Sequence, residues 1–307
     1  MRALVASGDS STPLQLEDVD DPRPAASETL VDVRAVSINR GELRLLASRP
    51  KGWRPGQDIA GVVSQPASDG NGPPSGTRVV ALVDQAGWAE RVAVPRGRLA
   101  ILPEGISFGA GATLPVAGLT ALRTLRLGGM LLGKAVLVTG ASGGVGHFAV
   151  QLAARAGARV TGVSRQPERM RALEESGDVR LIAAIGDARG PFDLILESVG
   201  GASLTASLRL VAPDGTVALF GNSSGEDSTV SFASFAGRPR ARLYGFFVYE
   251  SGEPPTFGSD LGVLAGEIAA GRLRPQVGFE TSWRDPLGAL EALRTRNLDG
   301  KAVLTID

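Results

Sequence analysis

Residues 135–156 constrain this chain more than any other stretch. Ala135-Val136-Leu137-Val138-Thr139 is an apolar run that reads as a buried parallel strand. Gly140-Ala141-Ser142-Gly143-Gly144-Val145-Gly146-His147 is a glycine-rich turn, and Val145 to Ala156 carries the apolar periodicity of a helix. With a further strand at Ala158–Val163, this is the strand–turn–helix context in which a glycine fingerprint indicates a dinucleotide site. Glycine lets the backbone turn sharply and approach a pyrophosphate, and the helix start offers unpaired N–H groups to its charge. On this reading Gly140, Ser142, Gly143, Gly144 and Val145 bind the cofactor phosphates. The competing reading is a glycine-rich turn in an α/β domain without a ligand.

From Leu114 to about residue 248, strands alternate with helical patterns, which implies a parallel sheet covered on both faces. The expected strands are Ala135–Thr139, Arg159–Val163, Arg180–Ala184, Asp193–Glu197, Thr216–Phe220 and Arg242–Val248. Residues 1–112 show instead short runs between Gly and Pro turn signals: Thr29–Val36, Asp58–Val63, Arg78–Val83 and Trp88–Val94. The last segment reads as a helix (Asp260–Ala270), a short strand, a helix (Pro286–Arg296) and a strand (Lys301–Thr305). The simplest parse is an α/β protein in which a doubly wound parallel-sheet domain (116–249) is inserted into a β-rich domain formed by 1–115 and 250–307.

Composition removes several function classes. The 307 residues suffice for two domains, and 32 basic residues balance 32 acidic ones. No bulk field favours nucleic acid or an anionic membrane. There is no cysteine and one histidine, His147, which excludes disulfides, thiolate ligands and cysteine nucleophiles. A zinc site needs about three or four N, S or O ligands, so no metal is expected. No stretch reaches the ~20 apolar residues of a membrane span, and the N-terminus lacks the apolar core of a signal peptide. The expectation is a cytoplasmic protein.

The end of the second strand of the nucleotide fold selects the cofactor. An acid there grips the ribose 2′-hydroxyl of NAD, and an arginine accommodates the phosphate of NADP. Here the strand runs into Ser164 and Arg165, with Arg169 soon after. A hydroxyl and two guanidinium groups suit a phosphate, so NADPH is expected. Against this, the two arginines read as solvated helix-start charges pairing with Glu168 or Glu174.

The glycine motif is also compatible with a short-chain dehydrogenase, but about 135 residues precede it here. Neither tyrosine, Tyr244 or Tyr249, has the lysine four residues later that such enzymes need. The chain instead resembles a zinc-independent medium-chain dehydrogenase/reductase of the quinone oxidoreductase type. The landmarks are Val36-Ser37-Ile38-Asn39, Gly56-Gln57-Asp58-Ile59-Ala60-Gly61 (where zinc-dependent relatives carry a His-Glu pair), Trp88-Ala89-Glu90 and Leu102-Pro103-Glu104-Gly105. They continue through Leu114 to Ala121, Glu197-Ser198-Val199-Gly200-Gly201, Phe220-Gly221-Asn222-Ser223-Ser224-Gly225 and Gly300-Lys301-Ala302-Val303-Leu304.

The resemblance implies a GroES-like β-rich substrate domain, a Rossmann domain, and hydride transfer from NADPH to a quinone or an α,β-unsaturated carbonyl. By matching position it places Asn39 near the nicotinamide ribose, and Gly118 and Thr120 near the ring. Val199, Phe220, Gly221 and Ser223 line the inner face of the cofactor, with Phe246 and Phe247 close by. Arg296 reaches the phosphates. Relatives pair through nucleotide-domain sheet edges, so a homodimer through Arg242–Val248 is expected. Tyrosines that some relatives carry just after the asparagine are missing, and Arg44 and Trp53 lie in that neighbourhood. Without zinc, charge developing on the acceptor oxygen must be met by donors such as Asn39, Thr120, ribose hydroxyls or a backbone N–H, with Arg44 as a fourth. Two other functions remain open: an enoyl-thioester reductase, favoured by any basic patch able to hold phosphopantetheine, and an NADPH-binding sensor with little turnover.

Overall fold

The computed structural model describes residues 1–250 and 256–307. Two compact units form, one from Met1–Leu119 with Gly252–Asp307, the other from Thr120–Ser251. The domain boundary expected between 249 and 250 borders residues 251–255, which lie outside the described residues.

The first unit opens on a hairpin that the sequence reading passes over: β1 (Arg2–Ala6) pairs antiparallel with β2 (Leu14–Asp18). The long strand β3 (Glu28–Ile38) follows. Thr29, Val31, Val33 and Ala35 alternate inward with period two, and then Val36, Ser37 and Ile38 are all buried. The strand therefore ends inside the unit and delivers the next residue, Asn39, to the interior. After it come α1 (Arg40–Ser48), β4 (Asp58–Gln65), β5 (Arg78–Leu82), β6 (Arg91–Pro95) and β7 (Leu99–Ile101). The strand expected at Trp88 starts only at Arg91, because Ala89 is held by an isolated bridge to Ala3. A short helix α2 (Phe108–Ala112) leads into a π-helical turn at Leu114–Gly118, and α3 (Leu119–Arg126) closes the segment.

The second unit is a six-stranded sheet, parallel throughout: β8 (Ala135–Thr139), β9 (Arg159–Val163), β10 (Val179–Ile182), β11 (Phe192–Glu197), β12 (Val211–Leu219) and β13 (Arg242–Gly245). The spatial order is β10-β9-β8-β11-β12-β13. That is the doubly wound order of dinucleotide folds, with its direction change between β8 and β11. Helices α4 (Gly144–Arg155) and α5 (Gly201–Leu210) follow β8 and β11. Two expected strands are corrected. β13 stops at Gly245 rather than Val248, because its neighbour β12 ends at Leu219; Phe246 still donates its N–H to the Leu219 carbonyl (2.8 Å). β12 begins early, at Val211, and the register against β11 shifts around Asp214, whose φ is 60°.

The chain returns to the first unit through α6 (Phe257–Ala269), β14 (Val277–Ser282), α7 (Leu287–Arg294) and β15 (Lys301–Thr305). β15 lies between β14 and β3, completing the seven-stranded order β14-β15-β3-β4-β5-β7, with β6 paired to β3. The core beneath it gathers Val31, Val33, Ile59 and Leu304 around the fully buried Trp88 and Trp283. The mixed α/β class, one parallel sheet and one largely antiparallel sheet, is as the sequence implies. Among the described residues no helix is long and apolar enough to cross a membrane.

β3 and β4 approach so closely that only glycine fits at position 61. A Cβ there would lie 2.1 Å from the Asp32 carbonyl oxygen, a backbone atom that cannot swing away. Gly61→Ala is expected to destabilise the protein by about 1–3 kcal/mol, read as a fall in Tm; an unchanged Tm would show that the two strands separate readily at this point.

Candidate active site

The C-terminal ends of β8, β11 and β12 meet in the second unit, on either side of the direction change in strand order. After β8 the chain turns at Gly140 (φ 63°), where a Cβ would lie 2.6 Å from the Ser198 Oγ. The third glycine of the motif, Gly146, packs helix against turn: a Cβ would lie 2.3 Å from the Gly140 carbonyl. Gly143 is the N-cap of α4 and offers no side chain to cap it. The helix's own ladder begins with the His147 N–H donating to the Gly143 carbonyl at 2.9 Å, which leaves the Gly144 and Val145 amides at a half-buried, open helix start. Two dense glycine contacts behind and free amides in front are a cradle for a pyrophosphate.

A buried carboxylate shapes the facing loop. Glu197, at the end of β11, accepts from the Val199 N–H (2.7 Å), the Gly200 N–H (3.0 Å), the Ser203 hydroxyl (3.0 Å) and the Ser207 hydroxyl (2.8 Å). Ser198 then joins three strand ends. Its N–H donates to Thr139 Oγ1 at 2.9 Å and its hydroxyl to the Thr139 carbonyl at 3.0 Å, while its carbonyl accepts from the Ser223 N–H at 3.0 Å. Val199, Phe220, Gly221 and Ser223 are thus brought together on these loops, all half-buried. Phe246 is buried (7% exposed), whereas Phe247 is 67% exposed. At the end of β9, Ser164 is buried and its Oγ accepts from the Gln166 N–H at 3.3 Å; Arg165 and Arg169 are exposed. Arg169 lies in a 3-10 segment, Pro167–Ser176, rather than an α-helical turn. Thr120 is buried at the start of the unit, its carbonyl accepting from the Thr124 hydroxyl at 2.6 Å.

In the first unit a second buried carboxylate gathers four distant segments. Asp58, the first residue of β4, accepts from Ser37 Oγ at the end of β3 (2.7 Å), from Asn39 Nδ2 (2.9 Å), from Lys301 Nζ at the start of β15 (3.0 Å) and from the Val116 N–H inside the π-helical turn (2.8 Å). Lys301 also donates to Asn39 Oδ1. Asn39 is the N-cap of α1, and Glu42 reaches back from the first turn to accept its backbone N–H at 2.7 Å and, more loosely, its Nδ2 at 3.4 Å. Both amide hydrogens of Asn39 therefore turn inward. Its Oδ1 accepts from Lys301, so both ends of the amide are engaged within the unit.

Glu42 is fully buried, and its Oε1 has no hydrogen-bond partner. Burial, with the Asp58 carboxylate beside it, pushes its pKa up to about 8, against the opposing pull of the Asn39 N–H and the Lys301 ammonium. One ammonium between two carboxylates leaves Glu42 holding a proton at neutral pH. Of the other expected residues, Gly118 is buried in the π-helical turn, where a Cβ would lie 2.9 Å from Leu264 Cδ1. Arg44 is exposed on α1, and Arg296 is exposed after α7 with φ 58°. His147 sits half-buried on α4.

Sequence reasoning missed Glu42, Asp58 and Lys301 as site residues. The spacing Asn39-x-x-Glu42 is a helix-start signature that was there to be read. The donor set does not suit zinc: Gln57 and Asp58 stand where a His-Glu pair would, every Asp58 contact is a hydrogen-bond donor, and no group of three metal-ligating side chains converges among the described residues.

A family profile described as zinc-binding dehydrogenase matches residues 144–261. The erythronolide synthase EryA2 of Saccharopolyspora erythraea is 33% identical over 303 residues, 94% of this chain and 8% of that protein. A chloroplastic quinone-oxidoreductase homolog of Spinacia oleracea is 37% identical over 170 residues, 50% of this chain and 52% of its own. The chain thus spans well under two thirds of either relative. An acryloyl-coenzyme A reductase of Sulfurisphaera tokodaii is 27% identical over 262 residues, 72% of this chain and 77% of that one. Among solved structures, a mycobacterial protein complexed with NADPH superposes with a TM-score of 0.88 at 23% identity, covering 100% of both chains; at that identity the likeness concerns the fold.

The raised pKa of Glu42 has a defined sign for stability. The folded protein binds this proton more tightly than the unfolded chain, so the favourable contribution is complete below about pH 4.5 and is lost as pH rises through about 8. Relative to Glu42→Gln, wild type should lose stability between pH 5 and 8 by up to about 1.4 kcal/mol per pH unit. Urea unfolding of both proteins across that range checks it; parallel pH profiles would show that Glu42 is ionised throughout.

Proposed function

We propose that this chain is a medium-chain dehydrogenase/reductase that uses NADPH to reduce a conjugated carbonyl, a quinone or an α,β-unsaturated carbonyl, without zinc; the profile match over residues 144–261 and the likeness to an acryloyl-coenzyme A reductase support the family. The observation that carries the reading is the glycine cradle of α4, with open helix-start amides at the direction change of a six-stranded parallel sheet. The residues fit a dinucleotide: Gly143, Gly144 and Val145 would hold the pyrophosphate, and the loops carrying Val199, Phe220, Gly221 and Ser223 would flank the remainder. When bound, a reduced nicotinamide supplies the hydride.

NADPH is favoured over NADH by the end of β9, where the strand runs directly into Ser164 and Arg165 with Arg169 soon after, and the first carboxylate, Glu168, comes only four residues past the serine. Both ends of the Asn39 amide are engaged by Lys301 and Asp58, which makes it a poor donor for a developing oxyanion. Charge on the acceptor oxygen then falls to the Thr120 hydroxyl, a backbone N–H or the substrate itself. Quinones and conjugated carbonyls delocalise that charge and need less help than a simple ketone, so they are the natural acceptors for a site without a Lewis acid. An enoyl thioester belongs to this class, and the acryloyl-coenzyme A reductase among the relatives favours it. We also propose that two copies pair through β13, the open edge of the parallel sheet.

The decisive measurement is NADPH oxidation against a benzoquinone, a naphthoquinone, an α,β-unsaturated ketone and an enoyl thioester. Turnover of at least one, unaffected by a chelator, is expected; loss of activity on chelation would overturn the zinc-free reading. NADPH should bind roughly tenfold or more tightly than NADH, a difference of about 1.4 kcal/mol, and Arg165→Ala should narrow it. Equal dissociation constants in the wild type would reverse the cofactor assignment.

A further inference from the structure

We propose that Glu42 is a positioning residue for the reaction: while neutral it leaves Asn39 and Lys301 on the Asp58 carboxylate, which holds the turn leading to Thr120, and turnover falls when it ionises. This rests on the reading above that the protein reduces a conjugated carbonyl and that Thr120 meets the charge on its oxygen.

The geometry around Glu42 is that of an uncharged acid. The side chain is fully buried, and its Oε2 accepts the Asn39 backbone N–H at 2.7 Å. Oε1 has no hydrogen-bond partner among the described residues, a position that a carboxylate oxygen would occupy at high cost. The Asn39 side chain distinguishes the two acids within its reach: Nδ2 lies 2.9 Å from Asp58 Oδ2 and 3.4 Å from Glu42 Oε2. A charged acceptor draws the shorter bond, so an ionised Asp58 beside a neutral Glu42 accounts for the difference. Desolvation and the Asp58 charge favour that state and push the Glu42 pKa up to about 8.

Few charges act on this acid. Asp58 faces it from β4 and Lys301 from β15, and these two side chains are almost wholly out of water. From α7, which packs against α1, Glu291 and Arg294 pair with each other on the surface at 2.7 Å. On α1 itself, Arg40 donates to the Leu293 carbonyl at 3.0 Å and Arg44 is exposed. One buried ammonium therefore serves two buried acids, and its charge balances only one of them.

Asp58 is where a second charge is felt. Its Oδ2 accepts from Ser37, Asn39 and Lys301, and its Oδ1 accepts from the Val116 N–H at 2.8 Å. Val116 lies in the first turn of the π-helical segment Leu114–Gly118, where N–H groups lack a partner within the helix. Asp58 supplies that partner. The segment runs directly into α3, which starts at Leu119, so Thr120 follows it along one continuous helical path. An ionised Glu42 is a second charged acceptor for Asn39 Nδ2 and a second counter-charge for Lys301. Either exchange takes a donor from Asp58 Oδ2 and sets two carboxylates against each other. The carboxylate that anchors the Val116 N–H then shifts, and the turn before Thr120 shifts with it. A hydroxyl that meets developing charge is sensitive to such displacements, whereas a group that only packs is not.

The test follows reduction of each productive acceptor of the panel above from about pH 6 to about pH 10, in wild type and in Glu42→Gln, which keeps the capping box but does not ionise. With each profile scaled to its own value at the acid end, kcat of wild type should fall by roughly fivefold or more relative to the variant, with a midpoint near the Glu42 pKa of about 8. The KM for NADPH, set by the cradle of the second unit, should follow the same course in both proteins. A readout without cofactor comes from nuclear magnetic resonance of protein isotopically labelled at asparagine alone. The side-chain amide signals of Asn39 should move with that midpoint in wild type and stay still in Glu42→Gln, with Asn71, Asn222 and Asn297 as internal controls. Parallel kcat profiles in the two proteins, a fall carried only by the KM for NADPH, or Asn39 signals that do not titrate in wild type would overturn the proposal and leave the reductase reading intact. Should Glu42→Gln not fold, wild type alone decides: a flat kcat or unmoving Asn39 signals overturn the positioning role. No turnover of any acceptor at any pH would overturn the reductase reading itself, and the link to turnover with it.

Discussion

The first unit depends on one buried carboxylate. Asp58 accepts from β3, the cap of α1, the π-helical turn and β15, so one side chain joins segments up to 243 residues apart. A carboxylate taken out of water is tolerable only when its lone pairs are met by donors, and here each contact comes from a different element. The neighbouring Glu42 shows the limit of that arrangement. With Asp58 saturated and Lys301 shared, no donor remains for Glu42 Oε1, and the second acid gives up its charge rather than its place. Helix α1 therefore starts on a protonated glutamic acid, an unusual partner for a capping asparagine but the one the local charge balance allows.

The second unit repeats the logic in a different fold. Glu197 satisfies its buried charge with two backbone amides and two serine hydroxyls. The extra methylene relative to aspartate lets it reach from the end of β11 into the first turns of α5. The consequence is a fixed course for Ser198 and Val199, whose backbone in turn positions the residues after β12. In both units the order around the carboxylate comes from hydrogen bonds.

The parts legible in the sequence are those encoded locally. β8, β9 and β15 have the bounds their apolar runs predict, because each is closed by a glycine or a polar residue and is buried on the sheet. The glycine cradle was legible for the same reason: close packing at Gly140 and Gly146 admits no other side chain. The first hairpin was not, since five-residue runs near a terminus carry little alternation. α1 was hidden by its cations, which mask a short apolar stripe. The Asp58 cluster escaped for a deeper reason. Lys301 and Asp58 are brought together only by β15 entering the sheet beside β3, and no local pattern announces a long-range pairing. Asn39 stood out by position, but the orientation of its amide depends on Lys301 and Asp58, and so on the fold.

That last dependence bears on why charged residues stand where apolar ones would pack. A buried ion pair seldom stabilises more than a well-packed hydrophobic substitute, because desolvation consumes most of the attraction. Leucine and methionine at positions 58 and 301 would fill similar volume without that cost. They would leave Asn39 free to rotate, since an amide has two nearly isosteric ends that only hydrogen-bond partners distinguish. Lys301 donates and Asp58 accepts, and between them the amide has one orientation. The contribution of the cluster is therefore directional: it holds the Asn39 amide at the end of β3 in one orientation. That orientation is held by rigid elements, because the sheet pairing of β15 with β3 sets where Lys301 meets the amide.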